Sequence, residues 1–270
     1  MKATEVLAQR GGITVTPGGL VQACQRLAQD GLPADAGLRE QIRRSPMVSP
    51  DETGWRIGGH HAWLWTVATP DTTVYRIAAS RGTDVARELL GEDYAGIVVR
   101  DGWAPYRQLT RAEHRTCLAH LLRRCDEILA PAHGRAREIP RAVRAILHDA
   151  LEVRRHRDDG DWHDRRVARE LGRLEARMDA LLERPRITRP DNRRLRGHLR
   201  TERGALFTFL KQAGVDATNW RAEQAIRPAV VNRKVWGGNR TPRGARTQEV
   251  LTTLMQTCRL RGVSVLDYIA

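Results

Sequence analysis

One stretch constrains the fold more than any other: Gly96-Ile97-Val98-Val99-Arg100-Asp101-Gly102-Trp103. A β-branched apolar run that stops at a carboxylate and a glycine reads as a buried strand. It delivers Asp101 to the carboxyl end of that strand, which is where open α/β sheets place their ligands. A capping aspartate at a strand-to-helix turn would use the same residues, so the neighbouring pattern has to decide. Upstream, Thr53–Ile57 alternates, Gly58-Gly59 offers a tight turn, and His61–Ala68 is a Trp-rich strand. Pro70-Asp71 turns again and Thr72–Ala79 makes a third strand. Arg81–Leu90 then reads as an amphipathic helix with Val85, Leu89 and Leu90 inward.

The order βββαβ opens a ribonuclease H-like fold, so the expected class is α/β, a ribonuclease H-like mixed sheet with a large all-α insertion. The residues around Cys117 supply a fifth short strand running into a helix over His120–Leu129. Before the meander, Thr16-Pro17 starts a helix carrying Leu20, Val21, Cys24, Leu27 and Ala28 on one face, closed by Gly31. Residues 34–44 form another, which Ser45-Pro46 ends. Pro50 cannot donate to a ladder, so pairing of the first strand is expected to begin at or after Asp51.

Beyond Leu129 the pattern changes to helices. Val143, Ile146, Leu147 and Leu151 mark one, and Val167, Leu171, Leu174, Met178 and Leu181 mark a second, joined by the charged Arg155–Asp161 turn as a helical hairpin. Arg184–Arg194 reads as a loop and Leu195–Leu210 as helix. Glu223 lies on a helix over Asn219–Arg227 that Pro228 terminates or kinks. Val230–Gly238 reads as a basic, glycine-containing linker, and Thr247–Arg261 as the final helix. The expected organisation is therefore a helical lead-in (1–46), a first part of the core (47–129), an α-helical insertion (130–213), and a completing segment with the Glu223 helix and the C-terminal helix (214–270).

The net charge is +14, and it is concentrated. Residues 219–261 carry nine basic side chains against two acids, while 135–203 carry twenty arginines against thirteen acids. An acid-poor basic segment calls for a polyanion, most simply nucleic acid; the arginines of 135–203 fit equally a solvated helix face. Arg227, Arg233, Lys234 and Arg240, which follow Glu223 in the acid-poor stretch, are the expected DNA contacts. The four cysteines lack framework spacing, as expected of reduced thiols in the cytoplasm. The N-terminus lacks a signal-peptide core and no run of about 18 apolar residues exists, so no membrane association is expected.

Three carboxylates are the candidates for chemistry: Asp51, Asp101 and Glu223. Hard divalent cations take oxygen ligands, and Mg²⁺ is held by one or two carboxylates together with substrate phosphates. Two such ions about 4 Å apart serve phosphodiester displacement. Other candidates weigh less. His114, Cys117 and His120 at three-residue spacing would make only part of a zinc site; Cys117 and His120 fit better as packing beside the active site. His60-His61 reads as turn surface. Trp55, Trp63 and Trp65 read as meander core before base-stacking groups, and Trp103 and Tyr106 as the rim of a cleft.

Several blocks carry a resemblance: Asp51-Glu52-Thr53-Gly54-Trp55, Asp101-Gly102-Trp103-Ala104-Pro105-Tyr106, Cys117-Leu118-Ala119-His120-Leu121-Leu122-Arg123, and Ala222-Glu223-Gln224-Ala225-Ile226-Arg227-Pro228 with Arg233-Lys234. With Gly237-Gly238-Asn239-Arg240-Thr241 and Thr257-Cys258-Arg259, they resemble in order the insertion-sequence-66 family of DDE transposases. The resemblance implies a ribonuclease H-like core with a helical insertion before the glutamate. It makes Asp51, Asp101 and Glu223 a catalytic, metal-binding triad for two Mg²⁺ or Mn²⁺ ions. The implied activity is cleavage and strand transfer at the ends of an insertion sequence, by attack of water and then of a DNA 3′-hydroxyl. The implied partners are the element's terminal repeats and target DNA, with a homodimer or larger assembly when ends are paired. Two departures stand out: Trp220 follows Asn219 where many relatives have a second Asn, and Gln224 takes an Arg position. The chain also begins after the N-terminal DNA-recognition region of longer relatives, as a truncated copy or fragment would. A catalytically idle DNA-binding remnant and a structure-selective nuclease are the alternative readings.

Overall fold

The computed structural model describes residues 3–185, 187–212 and 214–269. In chain order the elements are α1 (Ala3–Gly11), α2 (Pro17–Asp30), α3 (Leu32–Arg44), β1 (Met47–Ile57), β2 (His60–Ala68), β3 (Thr73–Ala78) and α4 (Thr83–Leu90). There follow β4 (Ile97–Arg100), β5 (Glu113–Thr116), α5 (Leu118–Leu129), α6 (Glu138–Asp158), α7 (Asp164–Leu182), α8 (Pro190–Glu202) and α9 (Thr208–Lys211). The chain closes with α10 (Trp220–Trp236), α11 (Pro242–Arg261) and α12 (Val265–Ile269). The class is mixed α/β. Two compact units are formed, one from Met1–Tyr94 with Arg221–Ala270 and the other from Ala95–Trp220.

In the first unit, β1, β2 and β3 form the antiparallel meander that the alternation and the two turns call for. Trp55, Leu64, Tyr75 and Ile77 on these strands pack with Ile226 and Ala229 of α10 and Ala245 of α11. The outer edge of β3 is covered by α11. The N–H groups of Thr73, Tyr75 and Ile77 donate to Thr257 Oγ1 (3.1 Å), Thr253 Oγ1 (3.0 Å) and Glu249 Oε1 (2.7 Å). The match is geometric. Four residues of helix rise about 6 Å and two residues of strand about 6.6 Å, so every fourth side chain of an antiparallel helix meets every second strand N–H. The edge is thereby closed to pairing with another chain.

Pairing of β1 begins earlier than expected, with Ser49 opposite Ala68 and Pro50 opposite Val67. Proline lacks one donor; along a strand successive N–H groups point to opposite sides, so a proline whose missing N–H faces away from β2 leaves that ladder intact. A second correction concerns α10, which continues through Pro228 to Trp236, so Pro228 does not stop the helix and Val230–Trp236 is not a linker. Interior proline costs about 3 kcal/mol. Here the loss is offset by burial of Ile226 and Ala229 against the meander and by the Tyr75 hydroxyl, which donates to the Ala225 carbonyl in the turn that Pro228 disturbs.

In the second unit, β4 and β5 pair in parallel from Ile97 opposite Glu113 to Arg100 opposite Thr116. The helices pack largely through the expected apolar stripes: Val143, Ile146 and Leu147 of α6 and Val167, Leu174, Met178 and Leu181 of α7 are buried, whereas Leu151 and Leu171 are only half-buried and Ala150, outside the expected stripe, is buried. Helix α8 starts at Pro190, a first-turn proline, inside the segment expected to be loop, and it ends at Glu202, short of Leu210. Arg186, in that expected loop, and Ala213, at the expected end of the insertion, lie outside the described residues.

Candidate catalytic carboxylates and nucleic-acid interface

Asp101 directly follows the last residue of β4, where the apolar run placed it. Its Oδ1 accepts the Trp103 N–H at 2.9 Å, a local turn that fixes the carboxylate. Among the described residues its Oδ2 accepts no hydrogen bond and the side chain makes no ion pair, so a hard oxygen donor stays open at the strand end. Gly102 takes φ +94°, and a Cβ there would lie 2.7 Å from His198 Cε1 of α8, so only glycine fits the turn.

Beneath this turn lies a residue that the sequence reading missed. Glu202, at the end of α8, is fully buried; it accepts Thr116 Oγ1–H at 2.6 Å and pairs with Arg100 Nη1 (2.8 Å) and Arg107 Nη1 (3.1 Å). Arg107 Nη1 also donates to the Gly102 carbonyl at 3.0 Å. Glu202 thus ties the Asp101 turn to β4, β5 and α8. Its signal was present: it follows Leu195 and Leu199 at spacings of four and three, on the buried face of α8, but it sat among thirteen acids in an Arg-rich segment.

Asp51 is half-buried on β1 opposite Thr66, and its Oδ1 accepts the Glu52 N–H at 2.9 Å. Glu223 is half-buried in the first turn of α10, where the helix dipole favours an anion. Asp51 and Glu223 belong to the first unit and Asp101 to the second.

Of the three residues considered for zinc, His114 is not available as a ligand. Both ring nitrogens are engaged, Nδ1 accepting Arg100 Nε–H at 3.2 Å and Nε2 meeting the Leu109 carbonyl at 3.1 Å. Burial, aided by Arg100, lowers its pKa and keeps it neutral. It sits on β5 and His120 on α5, so the three-residue spacing does not fall on one helix. Cys117 precedes α5, and its Sγ accepts the Asn219 N–H at 3.1 Å. Burial works to raise its pKa, but the hydrogen bonds from His120 and Asn219 prevail and hold the thiol below its usual range. Of the aromatic candidates, Trp55 and Trp65 are core, whereas Trp63 is half-buried beneath the Arg81 guanidinium, 4.4 Å from its ring centroid. Tyr106 is buried, so it packs the second unit and forms no rim.

The two basic segments behave differently. In 135–203 many arginines are spent on neighbouring acids, as in Arg155–Glu152 (2.9 Å), Arg173–Glu170 (2.9 Å) and Arg177–Asp149 (2.6 Å). In 219–261, Arg227, Lys234, Arg240 and Arg243 are exposed and have no side-chain partner among the described residues. Arg233 is an exception, because its Nη1 donates to Thr53 Oγ1 (2.9 Å) and to the Gly54 carbonyl (2.7 Å) of β1.

Residues 2–247 match the family described as Transposase IS66 family. The chain belongs to that family. It is also 28% identical over 239 residues to "Uncharacterized protein y4qI" of Sinorhizobium fredii (strain NBRC 101917 / NGR234), in a match covering 77% of this chain and 42% of that protein. The chain therefore spans less than half the length of this curated relative. No solved structure matches it. Among the described residues no helix is long and apolar enough to cross a membrane, and the four cysteines are free.

Proposed function

We propose that this IS66-family chain is the catalytic core of a DNA transposase that cleaves phosphodiesters at the ends of an insertion sequence and transfers the strands. Asp51, Asp101 and Glu223 are its triad. The observation that carries the reading is Asp101, a carboxylate with an open oxygen at the end of a buried strand in a chain of transposase lineage. The element order, three antiparallel strands, a helix and a parallel strand pair followed by helices, supports a ribonuclease H-like core with 130–213 as its insertion.

The donor set fits divalent metal. All three residues offer carboxylate oxygens, the hard ligands that Mg²⁺ and Mn²⁺ take. Bound ions of this kind lower the pKa of an attacking hydroxyl and neutralise charge at the scissile phosphate. The chain's own part is positional. The Trp103 N–H and the Glu202–Arg107 link hold Asp101, while Arg227, Lys234, Arg240 and Arg243 present charge to DNA phosphates. Pairing two DNA ends calls for at least a dimer.

The test is cleavage and joining of labelled DNA carrying the element's own ends, with Mg²⁺ or Mn²⁺, comparing wild type with Asp101→Asn. We expect cleavage in the wild type and a loss of roughly 100-fold or more in the variant, since several kcal/mol of charge stabilisation depend on the metal. DNA binding without cleavage by either protein would replace this reading with an idle DNA-binding remnant.

A further inference from the structure

The tip of the β1–β2 hairpin and the loop after α10, both in the first unit, enclose an open groove of about 360 Å³. Its walls include Arg56, Gly58, Gly59, Trp236 and Arg240. These walls are fixed to one another. Gly58 N–H donates to the Asn239 carbonyl at 2.8 Å, Asn239 N–H to the Arg56 carbonyl at 2.9 Å, and Trp55 Nε1–H to Asn239 Oδ1 at 2.7 Å. At Gly238, with φ +136°, a Cβ would lie 2.4 Å from the Arg56 carbonyl oxygen, so this close approach requires glycine. The groove is therefore built into the fold.

Its chemistry is unusual for a protein surface. Trp236 is 54% exposed at the end of α10, a large apolar residue left in water. Arg56 and Arg240 are both exposed, and neither guanidinium has a partner among the described residues. No carboxylate lines the groove. An exposed aromatic side chain sharing one groove with two unpaired guanidiniums matches a nucleotide, whose base offers a π-face and whose phosphates take bidentate arginine. Bases of an intact duplex are already stacked on each other, so the occupant must be unpaired.

We propose that this groove binds an unpaired nucleotide of DNA, its base stacked on Trp236 and its flanking phosphates held by Arg56 and Arg240. The proposal rests on the DNA-handling reading above and deepens it. It gives the protein a preference for DNA with an unstacked nucleotide over blunt duplex.

The test is equilibrium binding by fluorescence anisotropy in EDTA, so that catalysis plays no part. The probes are a labelled blunt duplex and the same duplex with a short single-stranded overhang. Wild type binds the overhang duplex more tightly. Base stacking contributes about 1–3 kcal/mol, so Trp236→Ala weakens overhang binding by roughly 5- to 150-fold and leaves blunt binding unchanged. Trp236→Phe retains most of the preference. Replacing Arg56 and Arg240 together with alanine reduces the salt slope on the overhang by about 1.4, two phosphates at about 0.7 each. Thermal unfolding confirms that these surface variants fold. Equal overhang affinity in wild type and Trp236→Ala, or equal losses on both probes, overturns the groove while leaving the transposase reading intact. Absence of binding to either DNA overturns both. Loss of overhang binding in Trp236→Ala, in a protein that never cleaves, supports the groove and removes the catalytic reading.

Discussion

Glu249 Oε1 accepts the backbone N–H of Ile77 at 2.7 Å, joining helix α11 to strand β3 across 172 positions of sequence. The same carboxylate pairs with Arg76 (2.9 Å) and Arg246 (2.9 Å), and Arg246 reaches on to the buried Asp35 at 3.0 Å. Glu249 is almost fully buried. Its removal leaves a strand donor and two guanidiniums without their shared acceptor. We expect Glu249→Ala to cost about 3 kcal/mol, as measured by urea unfolding; a loss within about 0.5 kcal/mol, typical of a surface site, would refute the edge-capping role.

Arg233 and Lys234 are neighbours in a basic run, yet the fold gives them different work. Arg233 is bonded to Thr53 and Gly54 of β1, whereas Lys234 is exposed. Arg233→Ala is expected to lower stability by about 1.5–3 kcal/mol, the range for hydrogen bonds to a charged group. Lys234→Ala should leave stability within about 0.5 kcal/mol and reduce the salt slope of duplex binding by about 0.9. Denaturant titration and salt-dependent DNA binding, run on both variants, separate the two roles; the reverse assignment would mean that β1 does not need Arg233.

Glu202 holds the Asp101 turn through Arg100, Arg107 and Thr116. Truncation to alanine strands the buried Arg100 charge and should cost about 3–5 kcal/mol. Glu202→Gln keeps the shape and part of the hydrogen bonding, so it should lose less. If Glu202→Ala unfolds no more easily than wild type, the turn is held by Trp103 alone.

Stability should fall as the medium is acidified below about pH 6.5, the ordinary histidine pKa. His114 and His198 both have lowered pKa values, in each case mainly through burial, with nearby arginines adding to it. A folded pKa below the unfolded one means that the unfolded chain binds the proton first, so this contribution is fully present above about pH 6.5 and is lost as pH drops toward the folded values. Melting temperatures of wild type and His114→Gln across that range provide the check. The variant's decline should be the shallower of the two; parallel curves would exclude His114 as a source.

Local pattern made much of this legible. The Ile97–Arg100 run foretold β4 and the position of Asp101, the Gly58-Gly59 turn foretold the hairpin, and Thr16-Pro17 foretold α2, whose N-cap Thr16 accepts the Gly19 N–H at 3.0 Å. These signals lie within a few residues, where propensity and periodicity act directly. Pro228 misled for the same reason. Its local penalty is real, but Ile226, Ala229 and Arg233 of α10 gain contacts with strands about 150 to 180 positions away, which no window on the sequence includes. Glu202 and Trp236 were overlooked because their meaning depends on surroundings: burial beside Arg100 for one, exposure beside Arg56 and Arg240 for the other.

The sequence by itself determined the strands, most helices, the carboxylate candidates and the lineage, because each is written in short-range pattern or in ordered blocks. Only the tertiary structure decided which charges are spent and which are free. Arginine has the same composition whether it closes a strand, as Arg233 does, or stands unpaired in water, as Arg240 does. The difference is the distance to an acceptor contributed by another part of the chain, and that distance exists only once the chain has folded.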